Sequence, residues 1–175
     1  MVVAKEFREA MARLGAAVNV ITTDGPAGRG GFTASAVCSV TDSPPTLLVC
    51  MNQGSFQYER FASNGVLCVN VLGAEQEHLS RLFSGQLEAG IDERFAQTPY
   101  GSLATGSPAV AGSTVSFDCE IDRVETVGTH GVFLCRVVGI SKGAQAAGLL
   151  YFNREYHRVC SAQAQGHDTN GSRAS

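Results

Sequence analysis

Within residues 114–124 apolar and polar positions alternate: Val115, Phe117, Cys119 and Ile121 against Ser116, Asp118, Glu120 and Asp122. A period of two puts one face of a β-strand against a core and the other toward water. Gly128-Thr129-His130-Gly131 then reads as a turn, and residues 132–141 as a second long strand. Other strand-like runs cover residues 16–23, about 30–41, 46–52, 66–71 and 149–152. That makes about seven strands in nearly unbroken succession. Helical spacing is confined to three places. Val3, Phe7, Ala10, Met11 and Leu14 predict an amphipathic helix over about 3–14, ended by Gly15. A short helix is expected over 56–62 with Ser55 as its N-cap, and another over 75–83 with Leu79, Leu82 and Phe83 on one face. Residues 84–113 are rich in Gly, Pro, Ser and Thr and read as a long connection, of the kind that is functional or covers an interface.

Strands in sequence with few helices between them predict a mainly β protein, a closed antiparallel barrel with peripheral helices. A doubly wound α/β sheet is excluded, since most strand pairs lack an intervening helix. No GxGxxG and no GxxxxGK[ST] occurs, so neither a Rossmann dinucleotide site nor a P-loop is present. Residues 1–160 are expected to form one domain, and residues 161–175 a disordered polar tail with no core to join.

Charge and cysteine usage narrow the partners. The net charge is −3 and there is no basic stripe, so no nucleic-acid partner is expected. No apolar run approaches the roughly 20 residues of a spanning helix, and the first residues, MVVAKEFREAMARL, have no signal-peptide core. The six cysteines form no CxxC pair and most lie within apolar runs, as reduced packing residues of a cytoplasmic protein do. They and the four histidines show no metal-ligand spacing, and no metal is expected.

The stretch 30–51, GGFTASAVCSVTDSPPTLLVCM, is unusual in its run of small residues. Gly31 and Ala34 would let a flat ligand approach the main chain, and Thr33, Ser35 and Ser39 add hydroxyls. A plain strand packed beneath another sheet explains the same pattern.

Residues 15–50 as a whole, with the TASA-x-x-S segment, VSFDC at 115–119, VGTH at 127–130 and the C-terminal YFxRxYH segment, resemble the short-chain flavin reductases. These are the reductase components of two-component flavin monooxygenases. The similarity runs from about Phe7 to Arg158 and is nearest to the members that serve pyrimidine degradation. Reductases of 4-hydroxyphenylacetate and phenol monooxygenases resemble the chain less. The resemblance implies an FMN-binding split β-barrel, usually homodimeric with flavin near the subunit interface. It implies reduction of FMN, or FAD, by NADH, or NADPH, and delivery of reduced flavin to a flavin-dependent monooxygenase. Such chemistry asks little of side chains. Nicotinamide C4 must lie about 3–3.5 Å from flavin N5, and the protein supplies orientation and hydrogen-bond donors. No catalytic side chain is therefore expected.

The same resemblance implies the binding residues. Thr33, Ala34 and Ser35 would line the flavin ring and ribityl chain, and Ser39 the ribityl chain or phosphate. Asn52, Gln53 and Ser55, in a turn before a helix, would receive the phosphate. Arg94 and Phe95 match a basic-aromatic pair that approaches that phosphate. His130 would face the nicotinamide, although Thr129 stands where relatives carry Asp, and Tyr156 and His157 would close the same pocket. Two other readings stay open: a non-catalytic flavin-binding protein, and an enzyme that keeps flavin as a prosthetic group.

Overall fold

The computed structural model describes residues 2–85, 89–144 and 147–160, so the expected tail lies outside the described residues. Helix α1 (Ala4–Met11) leads into β1 (Ala16–Ala17) and β2 (Asn19–Thr23). Strands β3 (Gly30–Ala34), β4 (Val37–Asp42) and β5 (Pro45–Asn52) follow, then α2 (Tyr58–Asn64) and β6 (Val66–Val71). Helices α3 (Glu77–Phe83) and α4 (Ile91–Ala96) precede the small hairpin β7 (Tyr100–Ser102) and β8 (Pro108–Val110). The long hairpin β9 (Val115–Val127) and β10 (His130–Lys142) comes next, and β11 (Gly148–Phe152) with β12 (Glu155–Val159) ends the described chain.

Seven strands form one antiparallel sheet in the order β3-β2-β6-β9-β10-β5-β4. Its two edge strands, β3 and β4, are consecutive in the chain and joined only by Ser35 and Ala36. Across a flat sheet the edges would lie about 29 Å apart, six steps of about 4.8 Å. Three Cα steps reach at most about 11 Å. The sheet must therefore curl until its edges meet, and this makes the expected split barrel. The Cys50 N–H donates to the Ala36 carbonyl at 3.0 Å and ties the join to β5. This is why the single strand expected over 30–41 is two strands: Ser35 and Ala36 carry the chain from one edge to the other.

Side-chain alternation then divides the interior in two. Ile21, Val49, Phe61, Leu67, Val69, Phe133 and Cys135 fill the barrel. Val18, Val20, Leu72, Leu79, Phe83, Phe95 and Leu149 form a second core outside it, beneath α3 and α4. Successive residues of β2 serve both, and all five are buried.

Several elements depart from the expected pattern. Helix α1 buries none of its residues, and Val3, Phe7 and Met11 remain exposed. Helix α2 starts at Tyr58, with no side-chain cap; the Ser55 hydroxyl instead accepts from the Gln57 N–H, one turn earlier. The connection 84–113 contains α4 and the β7–β8 hairpin, which are too short for periodicity to reveal. Strand β12 follows a tight turn in which Asn153 and Arg154 both have positive φ, a hairpin signal without its usual glycine. The polar face of β9 is wet only in part. Ser116 and Asp118 are buried, and Asp118 accepts from the Thr105 N–H at 2.8 Å. The loop between β7 and β8 has folded over them, while Glu120 and Asp122 beyond it pair with Arg136 at the surface.

The buried thiols make one pH effect predictable. Desolvation pushes Cys68 and Cys135 up from 9.0 to about 12 and raises Cys119 further. A raised folded-state value favours the folded protein fully below the unfolded value and is lost as pH rises through the folded one. The urea midpoint should therefore hold to about pH 9 and fall between about pH 9 and 12. Cys68→Ala should shallow that fall; an identical alkaline slope in the variant would exclude Cys68 as a contributor.

Candidate functional site

The barrel join creates the main concavity. A cleft of about 660 Å³ runs along Ser35, Ala36, Val37 and Cys38 on one side and Leu48 and Cys50 on the next strand. Met11, Leu14 and Ala16 close one end, and buried Asn19 lies at its floor. The Asn19 amide donates to the Ala34 carbonyl at 3.1 Å and so fixes the strand just before the join. Ser35 and Ala36 are both exposed, and their small side chains leave the backbone open to the cleft. Burial raises the Cys50 thiol above its ordinary value, so that wall is neutral.

Ser35 also opens onto a second cavity of about 220 Å³, lined by Thr33, Ala34, Ser80, Ser84, Tyr151 and Tyr156. The sequence-derived flavin residues Thr33, Ala34 and Ser35 thus share a cavity with Tyr156. Thr33 Oγ1 donates to the Ser80 carbonyl at 2.7 Å, and Ser80 Oγ lies 2.8 Å from the Tyr156 hydroxyl.

A third group gathers at the far end of β5. Asn52 stands opposite His130 in the β5–β10 register. The Gln53 N–H donates to the Thr129 carbonyl at 2.9 Å, and its amide to Thr126 Oγ1 at 3.0 Å. His130 Nδ1 is 3.0 Å from Thr129 Oγ1, so the residue found where relatives carry Asp still orients the imidazole. Asn52 lies two residues along β5 from Cys50, about 7 Å from the cleft wall. Asn52 and His130 therefore lie beyond the Cys50 end of the cleft, and Gln53 and Ser55 follow in the turn after β5.

Other expected residues lie elsewhere. Ser39 lines a separate apolar groove of about 320 Å³ with Leu47, Phe117 and Ile140. His157 is exposed and its Nε2 lies 3.2 Å from the Phe152 carbonyl, within its own hairpin. Arg94, expected to approach the flavin phosphate, is buried, and its Nε donates to the Ala89 carbonyl at 2.9 Å. Phe95 belongs to the outer core, edge-on to Phe83 with centroids 5.3 Å apart. The cation nearest the surface there is Arg29, stacked 4.8 Å from the Phe95 centroid and paired with Asp92.

Sequence reasoning missed Arg29, Ser80, Ala36 and Cys50. Ser80 had one signal, a lone hydroxyl among Leu79, Leu82 and Phe83 on an otherwise apolar helix face. Ala36 lay in the TASA segment without being singled out, and Cys50 had no signal, because its place on the cleft wall depends on where the barrel closes.

The cleft suits a flat, uncharged heterocycle such as flavin. Its volume falls in the range of about 300–1,000 Å³ typical of small-molecule sites, and its lining is mostly apolar with a few hydrogen-bonding groups. The small side chains of Ser35 and Ala36 keep the backbone accessible at the join, whereas Gly31, expected to do so, is buried with its α-carbon against the Phe83 ring, and Ala34 is buried too.

Residues 11–159 match the model of the flavin reductase like domain. The chain is 54% identical over 155 residues to a protein named FMN reductase (NADH) RutF from Serratia proteamaculans, covering 89% of this chain and 87% of that one. It superposes with a TM-score of 0.86 on a crystal structure from Haemophilus somnus 129PT, provisionally assigned as a flavin reductase, at 47% identity and covering 90% of this chain and all of that one. The styrene monooxygenase flavin reductase of Pseudomonas putida S12 is 26% identical, with a TM-score of 0.77 over 87% of this chain and 96% of that one. The open backbone of the barrel join, the strand order and this similarity along nearly the whole described chain lead to one conclusion: the chain belongs to the family of flavin reductase-like domains.

Proposed function

We propose that this protein is an NADH:flavin oxidoreductase that reduces FMN, and to a lesser extent FAD, and releases reduced flavin to a partner monooxygenase. The observation that carries the reading is the exposed Ser35–Ala36 join at the wall of the cleft, in a chain of this family. Relatives named FMN reductase (NADH), and a neighbour that serves styrene monooxygenase, support the choice of substrates and the kind of partner. The resemblance to members that act in pyrimidine catabolism supports a uracil-degrading oxygenase as that partner, in the cytoplasm.

Flavin, when bound, supplies the acceptor for the hydride that NADH carries. The chain's own residues orient and exclude. Thr33, Ala34 and Ser35 offer backbone and hydroxyl groups to the flavin ring. Asn52, Gln53 and Ser55 serve the ribityl phosphate end, whereas Ser39, in its separate groove beside Leu47, takes no part. Arg94, whose Nε holds the Ala89 carbonyl, and Phe95, packed beneath Arg29, support α4 and do not reach that end. His130 and Tyr156 serve the nicotinamide, while His157 stays within its own hairpin. Apolar walls at Val37, Leu48 and Met11 keep water from the reacting faces.

A second copy of the chain completes the cleft in this reading. The apolar side of α1, with Phe7 58% and Met11 45% exposed, needs a cover, and Met11 already borders the cleft. Light scattering at micromolar concentration should report a homodimer, and a strictly monomeric mass would remove that element. The function itself is tested by steady-state oxidation of NADH and NADPH with FMN and FAD. FMN with NADH should give the highest kcat/KM; no flavin-stimulated oxidation with any pair would point to a flavin-storage protein.

A further inference from the structure

We infer that Ser80 is a positioning residue that turns the Tyr156 hydroxyl into the cavity beside Ser35, where the phenol donates to the carboxamide oxygen of the nicotinamide. The inference rests on the NADH-reductase reading and adds to it a recognition element with a defined ligand group.

Ser80 lies on α3 and is fully buried. Its carbonyl accepts from Thr33 Oγ1 on β3, and its hydroxyl meets Tyr156 on β12. One helical residue therefore fixes two walls of the same cavity. A buried hydroxyl must place its proton on an acceptor. Among the described residues the only hydrogen-bond partner of Ser80 Oγ is the Tyr156 oxygen, at 2.8 Å. Either oxygen can donate across this contact; in the inferred arrangement Ser80 donates, Tyr156 accepts, and the phenolic proton is left for a group within the cavity that Tyr156 lines.

The phenol is held on three sides. Tyr151 packs edge-on with centroids 5.1 Å apart, and the Arg81 guanidinium stacks 5.1 Å from the Tyr156 centroid. Arg81 is itself fixed, because its Nε and Nη2 both donate to Glu77 Oε1, at 2.9 and 2.7 Å. A donor held this way is oriented before substrate arrives, so little ordering is left to binding.

The ligand class follows from the lining. Thr33, Ser35, Ser84 and Tyr156 bring neutral hydroxyls, and no cation lines the cavity, which argues against a phosphate. About 220 Å³ is too small for a whole dinucleotide and large enough for one ring with a short polar arm. A nicotinamide carboxamide is such a group, and Ser35 joins this cavity to the flavin cleft.

The test uses the full-length protein with FMN and NADH. Ser80→Ala and Tyr156→Phe should each raise the KM for NADH about two- to tenfold, the size of one hydrogen bond, with kcat and the Kd for FMN near wild type. The double variant should be no worse than Tyr156→Phe, and Ser80→Thr should recover the wild-type KM. Reduced thionicotinamide adenine dinucleotide, whose sulfur accepts weakly, should be discriminated against by the wild type and not by Tyr156→Phe. That last comparison stands even if Ser80→Ala fails to fold. Wild-type KM and unchanged discrimination in Tyr156→Phe, in a protein that does turn over FMN, would overturn the inference and leave the reductase reading intact. A wild type that oxidises NADH with no flavin overturns both.

Discussion

Ser35→Leu is expected to weaken flavin binding by about tenfold to a hundredfold while the fold survives. Ser35 is exposed, so its replacement removes no packing and should change stability by less than about 0.5 kcal/mol. It sits in the two-residue join that closes the barrel and borders both the 660 Å³ cleft and the 220 Å³ cavity. A leucine there projects its branch into the space a flat ligand must enter. Forcing a ligand against such a side chain costs about 1–3 kcal/mol, and each 1.4 kcal/mol is about tenfold in Kd. Quenching of FMN fluorescence by the variant gives the comparison. An unchanged Kd with an unchanged melting temperature would reduce the join to a chain reversal with no ligand role.

Asn70→Leu is expected to cost at least about 3 kcal/mol of stability, a fall in Tm of about 10 °C for a domain of this size. Asn70 is fully buried on β6 and ties four elements together. Its Oδ1 accepts from the Val110 N–H and from the Ser116 hydroxyl, both at 2.8 Å. Its Nδ2 donates to the Val20 carbonyl at 3.0 Å and to Thr22 Oγ1 at 3.1 Å. Leucine matches the volume and abandons every one of these groups. Two stranded buried donors alone account for the figure, at about 1–3 kcal/mol each. The β7–β8 hairpin should loosen first, since the Val110 N–H loses its acceptor and the hairpin is left tied to the sheet through Thr22 on the Pro108 carbonyl and Thr105 on Asp118. A Tm within a few degrees of wild type would mean that water replaces the amide and that the hairpin is not held through Asn70.

Asn70 also shows what the sequence could not convey. In the run VLCVNV it looks like a flaw in an apolar strand, and its partners are 40 to 50 residues away. The strands themselves were legible because period two survives wherever one face meets a core. The barrel was legible as a class, and its closure at Ser35–Ala36 was not, since nothing local marks where two sheet edges meet. Asp118 misled in the same way: alternation assigned it to water, and a loop 13 residues earlier covers it. For the candidate site, the resemblance pointed to Thr33, Ala34 and Ser35, and the structure sets them around one cavity with Tyr156, joined through Ser80. Arg94 was read from its place in a basic-aromatic pair that the resemblance supplied. Its burial follows from the packing of α4 on the outer core, which short, unpatterned residues 84–113 do not announce.

The most direct test of the account is anaerobic turnover. A catalytic amount of the protein is mixed with excess FMN and excess NADH, and the yellow absorbance of oxidised flavin is followed without oxygen. The account predicts that all of the FMN bleaches over many turnovers, as a diffusing substrate must, and that the FMN-binding variant Ser35→Leu needs far more FMN to reach the same rate. Bleaching that stops at one equivalent of flavin per protein, or proceeds no faster than without protein, would contradict it.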